Sequence, residues 1–258
     1  MLLIHRFFAP ECPVDSNAQA MQSNLLLCEL HAHTTWSDGF LTMTEPVDLY
    51  GRHGFDVLCV TDHLLRSDSR RFRLRPQTHA HYIATIQRES RRAREQDDLL
   101  LIPGLELTQL ADDPDEAGHA LALGLHTLCS VDDGLEPAML AAREAGAAIL
   151  AAHPHGARDD PSRGRTTRWF ARNWQRLDGL VDRYELFNRR QTFGWVAEAG
   201  LPGIATGDFH RLEHLRTWKT LLSCAKNEQA VIEHLRSSRR AYVVPWGLRD
   251  ELRKQLAA

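Results

Sequence analysis

The sequence predicts an α/β fold built around a mainly parallel sheet, and three observations carry that reading. Seven short apolar runs recur along the 258 residues, each the length of a strand rather than of a long helix. Helical patterns separate them, and alternating β and α units favour parallel pairing. Several of the runs are continuously apolar, as strands are when helices cover both faces of a sheet.

The first run, NLLLCEL, leads into TEPVDLYGRHG, which has helix-start chemistry: Thr44 as cap, Pro46 in the first turn and Gly54 past the end. FDVLCVTDH follows as a buried strand ending in polar residues, then a long helical pattern from His79 to Gln96, then LLLIPGLELT as strand. HALALGLH is the fourth strand, Pro137 to Ala145 a helix, and AAILAAHPH the fifth strand. A helix near Thr167 to Leu177, the strand LVDRYELFN, a helix from Gln191 to Ala199 and GIATGDFH as the last core strand come next. WKTLLSCA, Trp218 to Ala225, is expected to pack against this body, and a helix from Glu228 to Ser237 and the apolar AYVV close the chain. Residues 1–24 are read as a polar extension and residues 25–258 as one domain, the size at which α/β folds still share a single core.

Composition removes several classes of function. No apolar run approaches the roughly 20 residues that span a bilayer. The apolar patch at the amino terminus is interrupted by His5 and Arg6, where a signal peptide needs a continuous core, so a cytoplasmic protein is expected. Five cysteines without a C-x-x-C pair signal neither a disulfide framework nor a thiolate zinc site. A net charge of −3 argues against broad electrostatic binding of nucleic acid but leaves room for a small anionic substrate.

The fourteen histidines matter by position. In ELHAHTTWSDG, His31 and His33 stand two apart at the end of a strand, where side chains share a face. Ligand-type residues stand at the ends of the other strands too: Asp62 and His63, Glu106, His153 and His155, Glu185, Asp208 and His210. A closed barrel would bring them to one rim, whereas an open sheet would spread them along an edge. His119 is the exception, since it precedes its apolar run; either that strand starts near Glu116 or it runs antiparallel to the others.

With these segments in view, HAHTTWSDG, VTDH, PGLELT, GHALALG, AHPH and TGDFHR, in that order from Leu30 to Arg211, the chain resembles the polymerase and histidinol phosphatase (PHP) family of metal-dependent phosphoesterases. The resemblance implies a distorted, TIM-like (β/α)7 barrel with two or three metals at its rim. It implies that His31, His33, Glu106 and Asp208 bind one metal, that Glu106 bridges to a second held by His119 and His153, and that Asp38, His63 and His210 bind a third. The SDG form around Asp38 marks that third site as the one open to weaker or different metallation.

A mixed histidine and carboxylate set without cysteine suits Zn²⁺, Mn²⁺ or Fe²⁺ better than Ca²⁺. Two such ions can generate hydroxide and hold both the attacking and leaving oxygens of a phosphoryl transfer. The expected function is hydrolysis of a phosphomonoester or phosphodiester by a metal-bound hydroxide, on a small phosphorylated metabolite, a nucleotide or an oligonucleotide end, without an obligate protein partner. No catalytic side chain is assigned beyond the ligands. Asp62 is read either as orienting a ligand or water from behind or as capping the turn that follows it. Arg189 and Arg190 are the candidate phosphate-binding residues, since the planar guanidinium fits phosphate oxygens. Arg158, Arg163, Arg165 and Arg168 are read first as a solvated basic loop; RSDSRRFRLR faces the rim, with a flexible lid over the site as its second reading. His155 is read as a surface loop residue. With 33 residues between His119 and His153, no inserted domain and a more open site are expected. Two alternatives stay open: a barrel amidohydrolase cleaving a C–N or C–O bond, and a non-catalytic metal-binding module.

Overall fold

The structure, a computed structural model, describes residues 25–156, 167–246 and 248. The extension over residues 1–24 and the arginines at 158, 163 and 165 lie outside the described residues. Eleven strands are found among the described residues: β1 (Leu25–Ala32), β2 (Val57–Val60), β3 (His63–Leu64), β4 (Leu100–Gln109), β5 (Gly118–Leu123), β6 (Ala148–Ala152), β7 (Arg183–Asn188), β8 (Gln191–Thr192), β9 (Gly203–Thr206), β10 (Lys219–Ser223) and β11 (Ala241–Val244). The helices are α1 (Thr44–Arg52), α2 (His79–Asp97), α3 (Leu135–Glu144), α4 (Trp169–Asn173), α5 (Gly194–Glu198) and α6 (Glu228–Arg236).

The strands form one sheet in the order β11-β10-β1-β2-β4-β5-β6-β7-β8, with β3 also on β4 and β9 on β7. β1, β2 and β4 are parallel, as are β6, β7 and β9. Past β9 the chain reaches back to β1. Ala32 and Phe209 form a parallel bridge, with the His33 amide donating to the Phe209 carbonyl (2.8 Å) and the Phe209 amide to the His31 carbonyl (2.9 Å). The α/β sheet therefore curls into a half-barrel whose parallel strands end around a common rim.

The order of elements follows the sequence reading; the regularity of βα units does not. β5 is antiparallel to both β4 and β6, which resolves the position of His119. A strand running the other way presents its beginning, not its end, at the rim. The β4–β5 pair stays in register from Gly104 opposite Leu123 to Gln109 opposite Gly118, so the loop over residues 110–117 sits at the rim as a hairpin turn. WKTLLSCA and AYVV, read as a packing segment and a closing run, are strands of the sheet itself: β10 pairs antiparallel with β1, and β11 with β10. The expected Thr167 to Leu177 helix shrinks to α4, and the one from Gln191 splits into β8 and α5.

Two apolar clusters fix this arrangement. One is made mainly of strand residues, among them Cys28, Leu30, Cys59, Ile102, Leu121, Leu150 and Ile204, with Val231 and Leu235 of α6 against it. The other joins the opposite strand faces to the helices through Val47, Tyr50, Tyr82, Ile86, Met139, Phe170 and Val196. Both are nearly free of solvent, and truncating a buried leucine such as Leu121 to alanine costs roughly 2–5 kcal/mol at sites of this kind. Above the strand cluster the side chains change from apolar to ionisable.

Candidate metal centre

β1 is irregular where it delivers its histidines. Its register with β2 shifts between Glu29 and Ala32, so the alternation of faces is broken and His31 reaches the rim although Leu30 packs in the strand cluster. The Nε2 atoms of His31 and His33 stand 2.9 Å apart, meeting the i, i+2 expectation. Glu106, in the second half of β4, lies among five imidazoles. Its Oε2 is 3.4 Å from His31 Nε2, 3.2 Å from His33 Nε2 and 2.9 Å from His63 Nδ1. Its Oε1 is 2.9 Å from His119 Nδ1 and 3.1 Å from His153 Nε2. Asp208 Oδ1 is 3.5 Å from both His31 and His33 Nε2. Asp38 Oδ1 is 3.1 Å from His210 Nε2, and 3.6 Å from His63 Nε2 and from His33 Nδ1.

All nine residues singled out from the sequence thus converge. Their donor atoms fall into three overlapping groups, each within 4.8 Å: His33, Asp38, His63 and His210; His31, His33 and Asp208; His63, Glu106 and His119. The grouping departs from the expected one in three details: His33 and His63 each face two groups, Glu106 groups with His63 and His119 rather than with His31, His33 and Asp208, and His153 meets the cluster through Glu106. Glu106 Oε2 and Asp38 Oδ1 are buried and, for all the nitrogens near them, aligned for a hydrogen bond with none. Oxygens ringed by nitrogens at 2.9–3.6 Å without hydrogen-bond alignment are aimed at a common point between them. A divalent cation fits that point, because buried charged oxygens need a partner of opposite charge.

Electrostatics say the same. Burial depresses His33 to about 3, with His210 and His63 adding to it. Burial also takes His119 to about 4, against the attraction of Glu106. For His63, burial is overcome by Glu106 and Asp38, and the imidazole rises to about 10. His31 is likewise raised against burial by Asp208, Glu106 and Glu185. The three carboxyls move against burial as well: Glu106 is held far down chiefly by His63 and His31, Asp38 by His210 and His63, Asp208 by His31 and Arg189. Three ionised carboxylates gathered this closely call for positive charge, and imidazoles alone supply it only by taking up protons.

Partners behind the cluster set the tautomers. His31 Nδ1 donates to Glu185 Oε1 at 2.8 Å, which leaves Nε2 free to ligate. Glu185, fully buried at β7, also accepts from Thr206 Oγ1 (2.6 Å), Asn188 Nδ2 (2.6 Å) and the His153 amide (2.6 Å). The sequence marks Glu185 only as a ligand-type residue at a strand end; this orienting role is new. Asp62 accepts from the Thr34 amide (2.8 Å), Thr34 Oγ1 (2.8 Å) and Ser37 Oγ (2.6 Å), and Ser37 Oγ faces His33 Nδ1 at 3.2 Å. Its side-chain bonds thus run to the turn after β1 rather than to the turn that follows it, and through Ser37 it stands behind His33.

The arginines separate. Arg189, half-buried with φ of 51°, places Nη2 2.9 Å from Asp208 Oδ2 and 2.8 Å from His210 Nδ1. Arg190 is exposed. Arg168 lies 4.0 Å from Asp115 in the β4–β5 loop. His155 is buried against Phe193 and Thr167, not on the surface as expected. The segment after β3 lies over the centre: Phe72 stacks on His63 at 5.4 Å, Arg71 covers Phe72, and Arg73 sits 4.0 Å over Trp36. Between β5 and β6 the one regular helix is α3, and no inserted domain is present.

No protein-family model and no curated protein matches the sequence. Solved structures do match. A two-domain protein of Bacteroides vulgatus ATCC 8482, described as containing a predicted PHP-like metal-dependent phosphoesterase, aligns with a TM-score of 0.59 at 23% identity over 86% of this chain. The fold is PHP-like. The present chain spans 65% of that protein's length. PsfC of Pseudomonas syringae PB-5123 also aligns, with a TM-score of 0.56 at 15% identity over 90% of this chain and 96% of its own. An amidohydrolase from Chromobacterium violaceum matches at 0.45 and 14% identity over 71% of this chain and 87% of its own, too loosely to bear on the chemistry. The PHP-like fold and the motif order thus agree.

Proposed function

We propose that this chain is a PHP-family metal-dependent phosphoesterase of the distorted (β/α)7 type, hydrolysing a phosphomonoester or phosphodiester of a small metabolite or nucleotide. The observation that carries the reading is Glu106: a buried carboxylate with imidazoles on both oxygens and Oε2 unaligned with any of them. In this reading His31, His33 and Asp208 would hold one ion, Glu106 would be shared between it and a second held with His119 and His153, and Asp38, His63 and His210 would hold a third. Zn²⁺, Mn²⁺ and Fe²⁺ suit the donor set. When bound, such ions acidify water to near-neutral pKa and polarise phosphoryl oxygens.

The protein's own groups divide the remaining work. Glu185 and Ser37 take the Nδ1 protons of His31 and His33, so that both Nε2 lone pairs face inward. Phe72 covers His63 and keeps water from that flank. Arg189 is the guanidinium already bonded to the cluster, placed to take an equatorial phosphoryl oxygen beside Asp208. Arg189→Ala is expected to lose a charge-assisted hydrogen bond of roughly 1.5–3 kcal/mol, about 10–150-fold in kcat/KM. Arg190→Ala is expected to leave kcat/KM unchanged, and equal losses in both variants would remove the distinction between them.

The decisive experiment loads the protein with Mn²⁺, Zn²⁺ or Fe²⁺, measures metal per chain, and screens phosphomonoesters, phosphodiesters and amide substrates side by side. Bound transition metal with phosphoester turnover is the expected result. Metal with amide turnover alone favours a barrel amidohydrolase, metal without turnover a binding module, and no metal uptake overturns the reading.

A further inference from the structure

Directly behind the cluster lies an ion pair that touches no candidate ligand side chain. Glu29 and Lys219 are both fully buried, and Lys219 Nζ stands 2.6 Å from Glu29 Oε2. Lys219 also donates to Thr217 Oγ1 at 2.8 Å, and Tyr50 donates its hydroxyl to Glu29 Oε2 at 3.0 Å. The other carboxylate oxygen faces the backbone. Glu29 Oε1 accepts from the Gly207 amide at 2.8 Å and from the His31 amide at 3.2 Å.

Those two amides belong to the two chain segments that carry the ligands His31, His33, Asp208 and His210. Gly207 immediately precedes Asp208, which holds φ at 40°, a conformation a side-chain-bearing residue keeps only when its surroundings impose it. The fit is close: a Cβ at position 207 would press on Glu29 Oε2 and on Lys219 Nζ, so that one of the pair would have to shift. Stability alone does not account for the pair, since well-packed apolar side chains in place of a buried ion pair are often neutral or stabilising. Apolar side chains, however, could not accept two backbone N–H groups from different segments.

We propose that the Glu29–Lys219 pair is a positioning device for the candidate metal centre: it fixes the separation of His31 from Asp208 and thereby sets how tightly the ion between them is held. Lys219 holds the carboxylate in its aim, 2.6 Å from Oε2; Glu29 ties β1 to the turn after β9. The inference rests on the metal-centre reading above, and the test separates the two.

Metal affinity is measured by competition with a chromogenic chelator, using Mn²⁺ and Zn²⁺, alongside thermal unfolding of the metal-free chain. The variants are the double substitution Glu29→Gln with Lys219→Met, which removes both charges together, and Gly207→Ala, which pushes on the same contact from the other side. Val231→Ala, in α6 and remote from the rim, is the control for general destabilisation. Both strut variants should weaken one ion per chain by about 10–100-fold, the usual cost of losing a partner behind a ligand, and leave the remaining metal in place. Val231→Ala should lower the unfolding temperature without changing any affinity. Wild-type affinity in Gly207→Ala and the double variant, or equal metal loss in Val231→Ala, overturns the positioning role alone. A wild-type chain that takes up no transition metal overturns the metal-centre reading and the positioning role with it.

Discussion

His31 and Asp38 stand on opposite sides of the same cluster and are held in different ways. His31 has no exposed surface, its ring is fixed by Glu185, and its backbone is fixed by Glu29 and by the bridge to Phe209. Asp38 sits in the turn after β1, its side chain 37% exposed, opposite His63 and His210 under the segment that carries Phe72. One side is built from strands whose backbone groups are paired across the sheet; the other from a turn and a covering loop. A rigid frame lowers the reorganisation needed when an ion binds, whereas a loop-borne ligand can yield to an entering substrate. The buried side is thus suited to a resident ion and the open side to an exchangeable one.

The sharpest way to break that contrast is at the residue both sides share. Glu106→Gln is expected to release metal from both sides and to abolish turnover, a larger effect than the roughly 10–100-fold that follows loss of an orienting partner. Retention of all metal at the wild-type rate would refute the bridging role of Glu106. Next in size comes Glu185→Gln, which removes the charged acceptor of His31 Nδ1 while keeping the volume. Its expected result is about 10–100-fold weaker binding of one ion, read by the same chelator titration, with the ion on the open side unaffected. The smallest effect belongs to Asp38→Asn, expected to weaken only the most labile ion by about tenfold, the lower end of what a lost partner of a bound ion costs. Should Asp38→Asn strip the tightest ion instead, the assignment of rigid and open sides is reversed.

Much of this site was legible because its residues arrive in local packets: His31 with His33 and Asp38, Asp62 with His63, Asp208 with His210. Short spacing at a strand end carries its own geometry. What could not be read depends on partners far apart in the chain. Glu185 acquires its role from β1, β9 and the turn after β6, and Glu29 meets Lys219 across 190 residues. β10 and β11 were missed as strands because WKTLLSCA and AYVV are too short to separate a sheet edge from any other buried run. The direction of β5 was left open for a related reason: GHALALG is equally apolar in either sense, and only the position of His119 hinted at reversal. Asp62 shows the limit from the other side: its place beside His63 suggested an orienting role, but not that its bonds would run to Thr34 and Ser37.

The antiparallel β4–β5 hairpin also says where this protein can be remade. Glu106 and His119 lie on its two arms, and their relation is fixed by a ladder that ends at Gln109 opposite Gly118. Beyond that last rung, Leu110 through Asp113 are exposed. A loop grafted between Ala111 and Asp112 would therefore grow out of the mouth without shifting either ligand, much as extra residues at the tip of a closed zip leave its teeth engaged. Variation for new leaving groups belongs there, and a library of insertions at that point should keep its metal while it changes what the site accepts.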